Sequence, residues 1–280
     1  MKWYLIEDPP GDGAYNMAVD HYLMGRTGDL GGPILRLYGW IQPTLSIGRN
    51  QRLESSVNID ACGEAGVPII RRMTGGQAVL HGTDLTYAVT APLQGAVWGT
   101  SIMSTYKVLS RVFLRLFGNL DFAPTAQAFS GRDRLAKASP VCFATPSAQE
   151  ILIDGKKLVG SAQRRRHDAF IQHGSIPYSP QGGMLAKLLK GARRETIDGA
   201  MTDLESMGVW KRMSKAEFQA ELIAAFEAEF QAEWVPLPWG DHDEQSVRAL
   251  RTNYAPLRGD PPVEEARAAT RKVTNHRIRK

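Results

Sequence analysis

The stretch I-L-I-D-G-K-K-L-V at 151–159 constrains the fold more than any other. Asp-Gly between two apolar runs is a two-residue hairpin signal, because the turn needs positive φ at both positions and these residue types tolerate it. The turn sets a register, with Ile153 opposite Lys156 and Leu152 opposite Lys157. Side chains alternate across a strand, so Ile151, Ile153, Lys156 and Leu158 share one face, and Glu150, Leu152, Lys157 and Val159 the other. The first face suits the main core. The second sets Lys157 among partly apolar neighbours, where loss of water eases proton transfer from its ammonium. A lysine beside a hairpin turn is ordinarily solvated, and Lys156 takes that reading.

Upstream lies Cys142, in the Pro-bounded segment S-P-V-C-F-A-T-P-S at 139–147. Structural cysteines usually sit inside a periodic apolar pattern, and this one does not. An irregular segment beside a basic stretch suits a nucleophile, since a nearby ammonium raises the thiolate fraction. Plain packing stays open from local sequence alone. The other cysteine, Cys62, falls inside a short helix predicted over 60–65, where core packing is its expected role. Two cysteines this far apart form neither a metal motif nor a disulfide framework, which points to a reducing, cytoplasmic setting. The apolar run at the N-terminus is too short for a signal peptide, and no run is long enough to span a membrane. A net charge of +5 is too small to argue for nucleic acid.

The remaining pattern alternates short strands with a few helices. Strands are expected at 2–6, 34–40, 43–48, 67–72 and 85–91, and helices at 12–24, 100–117, 183–190 and 214–231. Ser214 and Glu217 form a capping box for the last of these. I-L-R-L-Y-G-W reads as a half-buried strand, and Asn16 and Asp20 share a helix face that a solvated surface or a local hydrogen bond would explain. M-T-G-G-Q-A-V-L-H-G at 73–82 is a tight glycine turn between strands. It is either a plain hairpin turn with exposed Arg71 and Arg72 at its rim, or a loop that binds an anion or carbonyl with backbone N–H groups and an inward arginine. No G-K-[S/T] follows, so it is not a phosphate-binding loop. Residues 123–140 read as a long polar loop, 235–239 as the end of the compact part, 245–254 as a last helix, and the final twenty as weakly ordered. His81 and His173 are possible bases, although a lone histidine after a strand is more often hydrogen-bonded structure. Arg164, Arg165 and Arg166 are placed in a turn facing solvent, with docking of an acidic carrier protein as the alternative.

Four motifs occur together and in order: N-M-A-V-D (16–20), P-T-L-S-I-G-R-N-Q (43–51), R-R-M-T-G-G-Q-A-V-L-H (71–81), and K-L-V-G-S-A-Q (157–163) with Q-H-G-S (172–175). Over residues 3–235 the chain resembles the lipoate/biotin protein ligase-like family. C-F-A-T-P-S before the hairpin and Gln77 after the glycines are similar to the cysteine-dependent octanoyltransferases rather than to the ATP-dependent lipoate ligases, which carry G-R-N-D there.

The resemblance implies an α+β fold: a single biotin/lipoate-ligase-like catalytic domain, mixed and antiparallel sheets flanked by helices, over 1–240, with a partly helical or weakly ordered extension over 241–280. It implies an acyltransferase that moves an octanoyl group from octanoyl-acyl carrier protein to a lysine of a lipoyl-domain acceptor, such as glycine cleavage H protein. Cys142 would carry the acyl thioester and Lys157 would lower its pKa. Arg72, Gly75, Gly76, His81, Gly160, Ser161 and Ala162 would line the acyl pocket. No cofactor, ATP, metal, nucleic acid or membrane is implied. An ATP-dependent lipoate ligase, or an amidotransferase moving octanoate between lipoyl proteins, are the alternatives.

Overall fold

The computed structural model describes residues 1–94, 97–126 and 150–258. Cys142, most of the loop expected over 123–140 and the final twenty residues lie outside the described residues.

β1 (Lys2–Glu7) leads into α1 (Gly13–Leu30), whose N-cap Asp12 accepts from the Tyr15 N–H at 2.9 Å. β2 (Ile34–Tyr38), β3 (Thr44–Ile47), the short helices α2 (Leu53–Ser56) and α3 (Ile59–Glu64), β4 (Ile69–Arg71), β5 (Val79–His81) and β6 (Asp84–Pro92) follow. Next come α4 (Ile102–Asn119) and β7 (Pro124–Ala126). The described chain resumes with β8 (Ile151–Ile153), β9 (Lys156–Arg165), β10 (Ala169–Pro177), α5 (Gly182–Leu188) and α6 (Arg194–Ala200). α7 (Lys215–Phe230) starts on the expected capping box, and β11 (Glu233–Pro236) and α8 (Asp241–Arg251) complete the order. The large sheet runs β11-β1-β2-β6-β10-β9-β8-β7, and a small one runs β4-β3-β5. This is the expected α+β architecture with mixed and antiparallel sheets.

Alternation along the central strands sorts the core into two layers. Leu35, Leu37, Tyr87, Val89 and Phe170 pack with Phe113 and Phe117 of α4 and Phe218 and Phe226 of α7. Ile34, Tyr38, Ala88 and Ile171 pack instead with Met17, Ala18 and Leu23 of α1 and Val247 of α8. Segment 235–239 was expected to end the compact part. Its first residues instead form β11, parallel to β1, and a proline is tolerated there because the strand is at the sheet edge.

The half-buried reading of β2 is corrected. Both faces are covered, and Arg36 is fully buried. Of the two readings of Asn16 and Asp20, a solvated face or a local hydrogen bond, the solvated face is corrected with it, since both are fully buried. Arg36 donates to Asp20 at 2.8 Å, to Asp8 at 2.7 Å, and to the Asn16 carbonyl and side-chain oxygen at 3.1 and 3.0 Å. A buried charge persists only when paired and hydrogen-bonded, and the partners here come from α1 and the end of β1.

The glycine turn is not a hairpin. β4 and β5 do not pair with each other; they flank β3 on opposite sides, one parallel and one antiparallel. The turn therefore crosses the end of β3, where Gly48 sits. A Cβ on Gly48 would lie 1.8 Å from the Gly76 carbonyl oxygen, and Gly76 itself has φ +89°. Backbone packs on backbone here, so neither side can yield. Gly48→Ala is expected to lower stability by about 3 kcal/mol, read as a drop in the midpoint of thermal unfolding; an unchanged midpoint would contradict the close approach.

α1 also carries His21, whose ring accepts from Arg166 at 3.4 Å and bonds the Tyr254 hydroxyl at 3.0 Å. Burial, then the charges of Arg166 and Arg164, push His21 down to about 4 from its ordinary 6.5. The unfolded chain therefore binds a proton that the folded one refuses, so stability falls as pH drops from about 6.5 to about 4. Urea midpoints measured across that window should decline in the parent protein and decline less in His21→Asn.

Candidate active site

The glycine turn, β9 and β10 converge on a half-open cavity of about 70 Å3. One row of register crosses its wall. Gly160 lies opposite Ser175, Ser175 opposite Thr86, and Thr86 opposite Tyr38. All four line the cavity, and three strand spacings make the row about 14 Å long. Ser175 and Thr86 both donate to Asp84 Oδ2, at 2.6 and 3.0 Å, which leaves small, satisfied side chains along the row. Trp40 donates to the Thr86 hydroxyl at 2.9 Å and stacks on His81 at 4.0 Å between centroids.

Lys157 reaches this cavity because of the hairpin. Asp154 and Gly155 take φ +50° and +76°, and the pairs Leu152–Lys157 and Ile153–Lys156 form as expected. A bulge next to them sets Val159 opposite Ile151. Leu158 and Val159 consequently both join the main core, where strict alternation had assigned them to opposite faces. Lys157 is 2% exposed and donates to the carboxylate of Glu150, itself 3% exposed. Lys156 is exposed and donates to the Asp198 carbonyl at 2.9 Å, in keeping with its solvated reading.

The turn is braced from below by both arginines, which favours the reading with an inward arginine over the exposed one. Arg72 is buried and donates to the carbonyls of Ser46, Gly75 and Gln77 at 3.0, 2.7 and 2.7 Å. Arg71 donates to the Gly48 and Gln51 carbonyls at 3.1 and 2.6 Å. The structure thus gathers Arg72, Gly76, His81, Lys157, Gly160, Ser161 and Ala162 around one cavity. Gly75 is exposed and is not part of the lining.

Both histidines use both ring nitrogens. His81 bonds Asp84 at 2.8 Å and the Ser46 hydroxyl at 2.9 Å. His173 bonds Asp20 at 2.9 Å and the Thr74 hydroxyl at 2.7 Å, which ties α1 through β10 to the glycine turn. Burial depresses His173 despite the pull of Asp20, and the charges of Arg72 and His81 add to the depression. Burial works against the Asp20 carboxylate, yet the hydrogen bond from His173 and the charge of Arg36 hold it below the usual range. Asp84 behaves likewise, held low against burial by His81, Ser175 and the Gly82 N–H. A ring held by a hydroxyl at one nitrogen and a carboxylate at the other is a bracing element, which favours the hydrogen-bonded reading of both histidines.

Arg164 and Arg165 lie in β9 rather than in a turn. Arg165 donates to the Ser101 and Gly99 carbonyls, both at 2.9 Å. Burial, then Arg49 and Arg166, lowers Arg164 to about 10. Cys62 is buried, and burial pushes its thiol up to about 11, so it stays in the core as expected. Among the described residues no group of three or more His, Cys, Asp or Glu is placed to hold a metal ion, and no helix is long and apolar enough to cross a membrane.

Sequence reasoning overlooked Glu150, although the hairpin register put it on the face of Lys157. It also overlooked Ser46, Thr86 and Ser175, hydroxyl residues whose roles appear only once β3, β6 and β10 are brought together.

The profile of the lipoyl protein ligase A/B catalytic domain matches residues 12–227. The octanoyltransferase LipM of Carboxydothermus hydrogenoformans is 32% identical over 244 residues, covering 83% of this chain and 88% of that protein. That of Kyrpidia tusciae is 42% identical over 179 residues, covering 62% and 65%. Among solved structures, lipoate-protein ligase A bound with ATP superposes with a TM-score of 0.72 at 22% identity, covering 90% of this chain and 95% of that one. A bipartite lipoate protein ligase of Thermoplasma acidophilum, studied with its E2 lipoyl domain, gives 0.71 at 20%, covering 90% and 91%. At that identity the two structures speak for the fold alone. The profile match over most of the chain, and the relative aligned along nearly all of its own length, establish that this chain belongs to the lipoyl protein ligase A/B catalytic domain family.

Proposed function

We propose that this protein is an octanoyltransferase that carries octanoate from octanoyl-acyl carrier protein to a lysine of a lipoyl-domain acceptor through a thioester on Cys142. The observation that carries the reading is Lys157, an ammonium held out of water on the wall of a slot whose floor is small and satisfied. Relatives named octanoyltransferase over most of this chain support it.

The chemistry is two acyl transfers. The Cys142 thiolate attacks the donor thioester, the pantetheine thiolate leaves, and the acyl group rests on Sγ. Thioester exchange is close to thermoneutral, so positioning and thiolate fraction set its rate. The acceptor amine then attacks the acyl-enzyme, and a thioester becomes an amide, which drives the reaction forward. Lys157 holds the thiolate and relays protons. The glycine turn and the Gly160–Ala162 backbone flank the reacting carbonyl. The register row from Gly160 to Tyr38 is the surface along which an extended octanoyl chain would lie across the strands.

Incubation with octanoyl-acyl carrier protein, followed by intact mass measurement, should show one octanoyl group on the parent protein without ATP, and none on Cys142→Ala. Absence of the adduct on the parent, or an equal adduct on Cys142→Ala, would sink the reading. A requirement for ATP would instead favour a lipoate ligase. Lys157→Met should slow adduct formation by about 100-fold in a stopped-time mass assay, while Lys156→Met should leave it unchanged.

A further inference from the structure

Glu150 poses a physical question that the two-residue picture of cysteine and lysine leaves open. Glutamates are almost never fully buried unless paired, and this one is 3% exposed, on the cavity wall, with its carboxylate on Lys157 Nζ. A buried ion pair is a poor way to gain stability, because apolar residues of similar volume serve as well or better. The hairpin, moreover, delivers both partners to one face. Leu152 is opposite Lys157, and Glu150 is two residues before Leu152. A tight turn therefore fixes the carboxylate relative to the ammonium while both border the space where acyl transfer occurs.

We propose, resting on the Cys142 reading above, that Glu150 is a positioning residue for the second half-reaction, the counter-charge that holds the Lys157 ammonium in place once Cys142 is acylated. In the resting enzyme the Cys142 thiolate also balances the ammonium. Acylation removes that negative charge, and Glu150 remains as the counter-charge of Lys157. When the acceptor amine attacks, its nitrogen bonds to the acyl carbon and the carbon–sulfur bond breaks. The electron pair goes to Cys142 Sγ. The proton shed by the amine passes to the Lys157–Glu150 pair, with the carboxylate as its holder, and leaves to solvent when the product departs.

Other groups line the cavity or act on the pair. Arg72 comes from the glycine turn, His81 and His173 from β5 and β10, and Tyr106 from α4. The two histidines are each tied to a carboxylate and a hydroxyl. Arg72 holds the turn carbonyls. Burial raises the Tyr106 hydroxyl, and the nearby charges of Tyr87 and Glu150 raise it further, so it stays protonated. Among the described residues, Glu150 is the carboxylate bonded to Lys157.

The test separates the half-reactions in the full-length protein. Octanoyl-acyl carrier protein loads the enzyme, and a lipoyl domain is then added while both species are followed by mass. In Glu150→Gln, loading should stay within about threefold of the parent while transfer slows by about 100-fold, so acyl-enzyme accumulates. In Lys157→Met both steps should slow, and Glu150→Gln added to Lys157→Met should change nothing further. A purely structural role would slow loading and transfer alike in Glu150→Gln, and that result overturns the proposal, as do parental rates for both steps. Should Glu150→Gln fail to fold, Glu150→Asp keeps the charge on a shorter arm and should load normally yet transfer about tenfold more slowly; equal slowing of both steps, or none, overturns the proposal there too. If the parent never loads, the Cys142 reading itself falls, an outcome distinct from all of these.

Discussion

The buried carboxylate of Asp20 is the knot on which the cavity depends. It accepts from Arg36 on β2, Tyr38 at the end of β2 and His173 on β10, while its own backbone belongs to α1. A lone charge there would be expelled by its solvation cost; three donors from different elements make it tolerable, and in return those elements cannot slide. His173 then reaches the Thr74 hydroxyl, so the same knot holds the glycine turn that closes over β3. Helix, sheet and turn are registered against one another by a group that touches the cavity only through its neighbours.

A second buried charge system lines the cavity. Lys157 and Glu150 are both removed from water and bonded to each other. The two systems differ in kind. Around Asp20 every strong donor is matched and nothing is exposed, which suits a fixed frame. Lys157 and Glu150 border a half-open space, where a substrate can change the local charge. The register row between them and Tyr38 supplies a slender floor. Fixed frame and cavity wall meet along β10, where His173 and Ser175 sit two residues apart.

What the sequence made legible was local. Asp-Gly predicted the hairpin, its register and the inward turn of Lys157, because turn chemistry acts over a few residues. The adjacent bulge was invisible, since it responds to packing of both Leu158 and Val159. Asn16 and Asp20 looked like a solvated face because their partner, Arg36, is on a different element and reads as the polar side of an amphipathic strand. The glycine turn looked like a hairpin because β3, which separates β4 from β5, lies earlier in the chain. β11 was mistaken for the end of the compact part because its proline argues against a strand, an argument that fails at a sheet edge. Most cavity residues came from motif resemblance; Glu150 required only that the predicted face be taken seriously.

The most direct test of the central claim is a single-turnover chase. Octanoyl-enzyme is isolated free of donor and ATP, then mixed with a lipoyl domain, and the octanoyl group is tracked by peptide mass. The account predicts that the label leaves Cys142 and arrives on the acceptor lysine at a rate no slower than steady-state turnover. An isolated acyl-enzyme that stays inert toward the acceptor, or that transfers only when ATP is restored, would contradict it.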